Sequence, residues 1–270
     1  MTAATSTVNA TGVGPKLRRW RERRRVSQLD LAISADVSAR HISFVETGRS
    51  RPSEEMILRL AEQLDVPMRD RNALLLAAGY APAYPETSLD APAMAPLREI
   101  LDQLLFGYEP YPALVFDAGY DIVAANNGIA SLLDGVAEHL LQPPINTMRL
   151  ALHPEGLAGR IINFEQVRRH LLERFARHLE TWQWDHLRAL YDEVRRYPLP
   201  ASAAEPGAAE PAGPDSAFAL PLRIRHGAGE LSLISAVATF NTPLDVTVSE
   251  LAIETFLPAD PQTAKALREG

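Results

Sequence analysis

Positively charged residues near the start of the chain are the first that suggest a chemical role. Seven of the ten residues from Lys16 to Arg25 are lysine or arginine, and Glu22 is the one acid among them. Residues 1–80 contain 13 basic and 9 acidic residues, a formal charge of +4, whereas residues 81–270 contain 14 and 25, a charge of −11. Because clustered basic side chains bind phosphates, the pattern indicates a polyanionic partner for the N-terminal part alone.

A pair of short helices is predicted directly after these arginines. Ser27 and Ser38 each precede a run with helical spacing, and serine is a preferred helix-capping residue. Residues 36–37 form the short turn between the two helices, and Ile42 and Val45 are predicted to face the core. This arrangement is typical of a helix-turn-helix, whose second helix enters the major groove of DNA.

The exposed face of the second helix is predicted to read bases, while the residues around it contact phosphates. The predicted DNA-binding residues are Gln28, Ser38, Ala39, Arg40, His41, Ser43, Phe44, Arg49 and Arg51. Two of them have a second interpretation. His41 is either a partly exposed helix residue or phosphate contact, as we prefer, or a titrating switch, and Phe44 either belongs to the core or faces a thymine methyl group.

The alternative for this region is a small helical bundle whose basic face is merely solvated. Helical periodicity alone favours that alternative. Three features together favour DNA binding instead: the length of the turn, the ending Glu-x-Gly-Arg-x-x-Pro from Glu46 to Pro52, and the arginine-rich helix that precedes the pair.

Composition divides the chain into segments. Four prolines between residues 81 and 96 stop helices there and mark a linker. The predicted segments are a flexible tail (1–12), an all-α DNA-binding domain (13–80), the linker (81–96), a second domain (97–260) containing a disordered loop (198–214), and a C-terminal tail (261–270).

The second domain mixes strand and helix periods. Residues 113–117 and 120–124 are short apolar runs around Ala118-Gly119, which predicts a hairpin. A helix is predicted to begin near Asn126, and an amphipathic helix from Phe164 to Leu179. Alternation from Phe218 to Arg225 and apolar runs at 231–240 and 251–257 predict three further strands. This order predicts an α+β domain with an antiparallel sheet.

Several classes of protein are disfavoured. The chain contains no cysteine, which excludes disulfides and cysteine-ligated zinc. No segment approaches the roughly 20 apolar residues of a membrane helix, so we expect a cytoplasmic protein without a membrane span. Phosphate-loop, dinucleotide, nucleophile-elbow and zinc-protease motifs are absent, so we expect no catalytic residues, metal or cofactor. His170, Glu173 and His178 form either a weak metal site or, as we prefer, a solvated helix face.

The chain resembles a known family. The motif RHISFVETGRSRPS, within residues 17–78, is similar to the XRE (Cro/C1-type) helix-turn-helix family, which has a lambda-repressor-like fold. Three further segments resemble the MmyB-like regulators of actinobacteria and related bacteria: YPALVFDAGYDIVAANNGIASLL (111–133), NTMRLALHPEGLAGRIINFEQVRRHLL (146–172) and ATFNTPLDVTVSELAIETFLPAD (238–260). The resemblance implies a PAS-like C-terminal domain, a fatty-acid-type ligand, a homodimer and operator DNA as the partner.

If a fatty acid binds, its chain needs apolar surroundings and its carboxylate a positively charged partner. The predicted ligand-binding residues are Phe116, Arg149, His153, Phe164, Phe175, Phe240 and Phe256, with Arg160 and Arg168 less favoured. Each phenylalanine is equally consistent with plain core, and each arginine with a solvated helix face. The alternative function is a DNA-tethered interaction module that binds another protein and no small molecule.

Overall fold

The computed structural model describes residues 12–182, 184–200, 219–227 and 229–269. The chain forms two compact units, one comprising the residues up to Glu86 together with Leu244–Val246, the other comprising the rest. The division after Glu86 falls within the predicted linker. Residues 1–11 of the predicted tail and residues 201–214 of the predicted loop lie outside the described residues.

The first unit is a bundle of short helices. They are α1 (Val13–Arg23), α2 (Gln28–Ser34), α3 (Ala39–Glu46), α4 (Glu54–Gln63) and α5 (Met68–Ala77). The hydroxyl of Ser27 accepts the backbone N–H of Asp30, and that of Ser38 accepts the N–H of His41. Serine caps therefore begin both helices of the predicted pair, as the sequence indicated.

The apolar face of each helix packs into one core. Leu31, Ile42, Val45 and Ile57 are almost completely buried there. The start of α1 lies against the end of α3 so closely that a Cβ atom at Gly14 would lie 2.3 Å from the carbonyl oxygen of Val45. Only glycine permits this approach of two backbones.

A buried ion pair joins α1 to the end of α3. The Nε and Nη2 atoms of Arg21 donate to the two carboxylate oxygens of Glu46 at 2.6 and 2.9 Å. The amide of Gln28, at the start of α2, donates to the same carboxylate at 2.8 Å. Because both oxygens of Glu46 are engaged, the carboxylate fixes all three helices relative to one another.

We expect Glu46→Gln to destabilise the protein by about 3–5 kcal/mol, because it leaves the Arg21 guanidinium buried without its counter-charge. Urea denaturation followed by circular dichroism measures this loss. The control is Glu22→Gln, which removes the exposed partner of Arg18 on the same helix and should leave the free energy of unfolding almost unchanged. Equal losses in the two variants would contradict the role assigned to Glu46.

An antiparallel sheet is the frame of the second unit. Its five strands in the described residues are β1 (Ala113–Phe116), β2 (Ile122–Ala125), β3 (Leu222–His226), β4 (Gly229–Thr239) and β5 (Ala252–Pro258). They lie in the order β2-β1-β5-β4-β3, and every neighbouring pair is antiparallel. The predicted α+β class, an antiparallel sheet with helices, is confirmed.

Helices precede, interrupt and follow the strands. They are α6 (Ala95–Gly107), α7 (Ala130–Leu133), α8 (Thr147–Leu152), α9 (Phe164–Thr181), α10 (Asp185–Arg195), α11 (Val246–Ser249) and α12 (Pro261–Glu269). No helix in the described part of the chain is both long enough and apolar enough to cross a membrane.

The sheet is covered on both faces at its centre. Alternate residues of β1 point to opposite sides, so Leu114 and Phe116 join the main core with α9 and α10, while Ala113 and Val115 pack with α6. All four residues of β1 are buried. A strand buried on both faces has a continuous apolar sequence, and this explains the unbroken run from Ala113 to Phe116.

The predicted hairpin, the helix after Asn126, the amphipathic helix from Phe164 and the last two strands are all present. The strand predicted from Phe218 begins at Leu222, and Phe218 lies outside the described residues. The prediction of a tail at 261–270 is wrong for residues 261–269, which form α12. Asp260 caps this helix by accepting the N–H of Thr263, and Leu267 is buried in the main core.

A tyrosine–histidine pair lies in that core. The hydroxyl of Tyr120 and the Nδ1 atom of His178 on α9 are 2.8 Å apart. Burial raises the pKa of Tyr120 to about 12 and lowers the pKa of His178 to about 4. Both groups are therefore uncharged at neutral pH, and the interpretation of His178 as part of a solvated face is wrong.

The pair makes stability depend on pH. An unfolded histidine takes up a proton near pH 6.5, whereas folded His178 does so only near pH 4. The unfolded state therefore binds more protons between these values, and stability should fall by about 2 kcal/mol as the pH is lowered from 7 to 5. Urea denaturation at both pH values measures the fall, which should be smaller in His178→Gln than in the exposed control His186→Gln. An identical fall in both variants would contradict this assignment.

Candidate DNA-binding surface and ligand cavity

The helix predicted to read DNA presents one polar face to solvent. The Ser38 hydroxyl caps α3, while Ile42 and Val45 hold the other side of the helix in the core. Arg40 is exposed, and Ala39, His41 and Ser43 are half-buried. The predicted residues of α3 thus lie around an arginine that is free to extend from the helix.

Phe44 organises the arginines of this face. The guanidinium carbon of Arg40 lies 5.2 Å from the centre of the Phe44 ring, and that of Arg49 lies 6.0 Å from it. The backbone carbonyl of Phe44 also accepts the N–H of Arg49 at 2.8 Å. Phe44 is half-buried, so the ring both packs on the unit and supports two positive charges through cation–π contacts.

Two predicted phosphate contacts have partners within the unit. Gln28 donates to Glu46, as described above. Arg51 donates to the carbonyl of Ala78 at 2.7 Å and stacks on Tyr80, with 5.1 Å between its guanidinium carbon and the ring centre. Arg51 therefore helps to hold the end of α5 although it is exposed, and Arg49 is a second exposed arginine, beside α3.

The arginine-rich helix α1 is less available to a polyanion than its composition predicts. Arg21 is buried against Glu46, and Arg24 donates to the backbone carbonyls of Leu64 and Asp65 at 2.9 and 2.8 Å. Arg18 pairs with Glu22 on the surface. Part of the basic run thus stabilises the bundle, a use that charge counting cannot distinguish from phosphate binding.

The second unit contains a cavity of about 360 Å³ between the sheet and its helices. Its wall is mostly apolar and comes from strands β1 to β5 together with α7, α8 and α9. The main apolar residues are Leu114, Ile122, Ile129, Leu132, Met148, Leu157, Ile161, Val167, Leu171, Val237 and Phe256. The volume falls in the range of small-molecule sites in proteins.

One part of the cavity wall is charged. An Nη1 atom of Arg174 lies 3.6 Å from Oε1 of Glu254, and the hydroxyl of Ser235 donates to the same carboxylate oxygen. Only 28% of the Arg174 side chain and 9% of the Glu254 side chain are exposed. His170 lies one helical turn before Arg174 and also lines the cavity.

Among the described residues, Phe256 is the one predicted ligand contact that lines the cavity. Phe116, Phe164 and Phe175 are buried in the main core, and Phe240 packs with the cluster around α6. These four aromatic rings support the domain without lining the cavity.

The predicted carboxylate partners lie elsewhere too. Arg149 forms a two-pronged pair with Glu193, with both distances 2.8 Å, and this pair lowers the pKa of Glu193. The Nδ1 atom of His153 accepts the backbone N–H of Glu155. Arg160 donates to the backbone carbonyls of Leu132, Asp134 and Arg225, and Arg168 to that of Arg195.

The sequence contained a signal for the residues that were missed. His170 and Arg174 lie three and seven positions after Val167, on the helical face that also carries Leu171. The sequence analysis places His170 on the solvated face of α9, where the structure shows it exposed, and does not single out Arg174. Glu254 stands in the run from Leu251 to Leu257, whose other residues are apolar except Thr255, and an acid at a buried strand position marks a special environment.

A different cluster satisfies the spacing of a metal site. Ligand atoms of His139, His153 and Glu155 lie within 4.8 Å of one another in the described part of the chain. The Nδ1 atom of His153 is occupied by its hydrogen bond to the Glu155 N–H. The structure does not bring together His170, Glu173 and His178, the possible metal site of the sequence analysis, because His178 contacts Tyr120 in the core.

This chain is similar to solved structures and to two protein families. No curated protein matches it. A solved structure of an RNA-binding light-oxygen-voltage receptor is similar at 12% sequence identity, with a TM-score of 0.28. The similarity covers 99% of this chain and 62% of the receptor chain, so the chain spans less than two thirds of the receptor's length. A TM-score this low carries no structural or functional argument.

Two families match successive parts of the chain. Residues 13–74 match a helix-turn-helix domain, which contains α1 to α4 and most of α5. Residues 97–269 match the MmyB-like transcription regulator ligand binding domain, which includes the whole cavity. Because this second match covers more than half of the chain, the protein belongs to the MmyB-like transcription regulators, with an XRE-type helix-turn-helix as its DNA-binding unit.

Proposed function

We propose that the protein binds a specific operator through α3 and that a fatty-acid-like ligand in the cavity changes its affinity for that operator. The observation that carries the proposal is an apolar cavity with one charged patch, in a chain that also presents an exposed arginine on a capped recognition helix. Because the proposed partner is genomic DNA, we expect the protein in the cytoplasm.

In the DNA-binding part of the proposal, one arginine contacts a base and another contacts a phosphate. Arg40 extends from the exposed face of α3, and arginine forms two hydrogen bonds with the major-groove edge of guanine. Arg49 lies beyond the end of α3, where a phosphate contact is more suitable. The guanidinium groups of both arginines contact the Phe44 ring.

The ligand part of the proposal depends on the cavity wall. Each buried methylene group of an acyl chain contributes roughly 0.8 kcal/mol, so a medium-length chain binds without covalent chemistry. A carboxylate head group needs a counter-charge in such surroundings. Arg174 supplies a permanent positive charge at the wall, which makes it a better partner than Arg149, which is not among the lining residues.

The response is proposed to operate through a homodimer. Helix-turn-helix dimers bind half-sites about one turn of DNA apart, so the distance between two recognition helices decides affinity. A ligand that binds one dimer geometry more tightly shifts the population toward it. The direction of that shift follows from which geometry fits the operator.

Arg40→Ala should weaken binding to the operator by about 1–3 kcal/mol and relax the preference for one base. Arg49→Ala should weaken binding to all sequences alike and flatten the salt dependence. Fluorescence anisotropy with a duplex selected from a randomised pool, and with a scrambled duplex, measures both effects. Arg177→Ala on the exposed side of α9 is the control. Unchanged operator affinity in Arg40→Ala would show that α3 does not read bases.

Decanoate should raise the Tm of the full chain, since a ligand at a hundred times its Kd contributes about 2.7 kcal/mol. Ala151→Phe places a ring into the cavity wall and should abolish the rise, whereas Ala189→Phe on the exposed side of α10 should not. Differential scanning calorimetry measures Tm in each case. The same rise in both variants would place the ligand outside this cavity.

A further inference from the structure

Glu254 puts a second negative charge where a fatty-acid carboxylate is proposed to bind. Glu254 belongs to the central strand β5, opposite Leu114 of β1 and Val237 of β4, both of which line the cavity. Its carboxylate is held by the Ser235 hydroxyl and lies 3.6 Å from the Arg174 guanidinium. The positive charge available to a ligand is therefore already balanced.

An ionised ligand would leave the site with one uncompensated negative charge. If the ligand shares Arg174 with Glu254, two carboxylates meet at one guanidinium. If the ligand displaces Glu254, a carboxylate with 9% of its side chain exposed loses its partner. Like charges in a shared, poorly solvated site strongly favour protonation of one of them. Sharing of Arg174 and displacement of Glu254 therefore both require that one of the two carboxylates takes up a proton.

Among the described residues that line the cavity, His170 and Arg174 are the titratable ones besides Glu254. Arg174 on α9 and Ser235 on β4 contact the Glu254 carboxylate, whereas His170 on α9 is exposed. Tyr120 and His178 interact with Arg174 and have pKa values of about 12 and 4, so neither changes its charge near neutral pH. The additional proton therefore belongs to the ligand and Glu254, or to His170.

We propose, relying on the proposed function above, that Glu254 is a specificity-determining residue that makes the cavity bind a fatty acid together with one proton. The proton comes from solvent and is shared between the ligand carboxyl group and Glu254, and no covalent bond forms or breaks. The preferred head group is thus a neutral hydrogen-bonding one, either a protonated carboxylic acid or a hydroxyl group.

Calorimetric titration of the full chain with decanoate, in two buffers of different ionisation enthalpy, counts the protons taken up. We expect about one proton per decanoate at pH 7, and an affinity that rises about tenfold as the pH is lowered from 8 to 7. Decan-1-ol should bind without proton uptake and with the same affinity at both pH values.

Variants identify where the proton goes. Glu254→Gln keeps the shape of the side chain and removes the competing charge, so proton uptake should fall towards zero and decanoate should bind at least about tenfold more tightly at pH 7. His170→Gln should keep the uptake of the original chain. The matched control is Glu165→Gln, which changes an exposed glutamate on α9, the helix that also carries His170.

Decanoate binding without proton uptake in the unaltered chain would overturn the inference and leave the proposed function standing. Uptake lost in His170→Gln but retained in Glu254→Gln would also overturn it. If Glu254→Gln does not fold, the comparison of decanoate with decan-1-ol in the unaltered chain decides the question. Failure of both probes to bind the unaltered chain would overturn the fatty-acid proposal itself and this inference with it.

Discussion

A carboxylate can be buried in a protein only where a cation and hydrogen-bond donors compensate its lost hydration, and this constraint shapes both units. In the first unit Glu46 is compensated by Arg21 and Gln28, and these bonds fix the recognition helix against α1 and α2. In the second unit Glu254 is compensated by Arg174 and Ser235 beside the cavity. The first carboxylate is fully paired and structural, whereas the second borders space that a ligand can enter.

The difference between the two carboxylates follows from what surrounds them. Glu46 receives donors on both oxygens from α1 and α2 and is buried, so its charge is compensated within the unit. The carboxylate of Glu254 lies 3.6 Å from the guanidinium of Arg174, in a cavity wall that is mostly apolar. A charged pair in such a wall is a candidate ligand contact, because apolar residues of similar volume would fill the site at lower cost.

Much of the fold was predictable because local sequence decides it. Serine caps and apolar spacing defined α2 and α3, and alternation or continuous apolar runs defined β1, β2, β4 and β5. Helix α12 was missed because its capping residue, Asp260, and its one deeply packed leucine, Leu267, are recognisable only once the sheet is in place.

The sites were harder to predict because they depend on pairing across the chain. No local pattern shows that Arg149 is 44 positions from its partner Glu193, or that Arg21 binds Glu46 and so cannot serve DNA. Phe116, Phe164 and Phe175 belong to the core and differ from Phe256 in which face of a strand or helix carries them, a difference that residue type does not show. Arg174 and His170 were polar residues on the cavity side of an amphipathic helix, and hydrophobic periodicity discards such residues.

The central claim is that occupation of the cavity changes the affinity of α3 for DNA. Its most direct test is the Kd of the full chain for its selected operator at two salt concentrations, with and without decanoate, in the unaltered chain and in Ala151→Phe. We predict a salt-dependent Kd that decanoate shifts in the unaltered chain and leaves constant in the variant. Decanoate that fills the cavity yet leaves operator Kd unchanged, or an absence of salt-dependent binding to any duplex, would contradict the account.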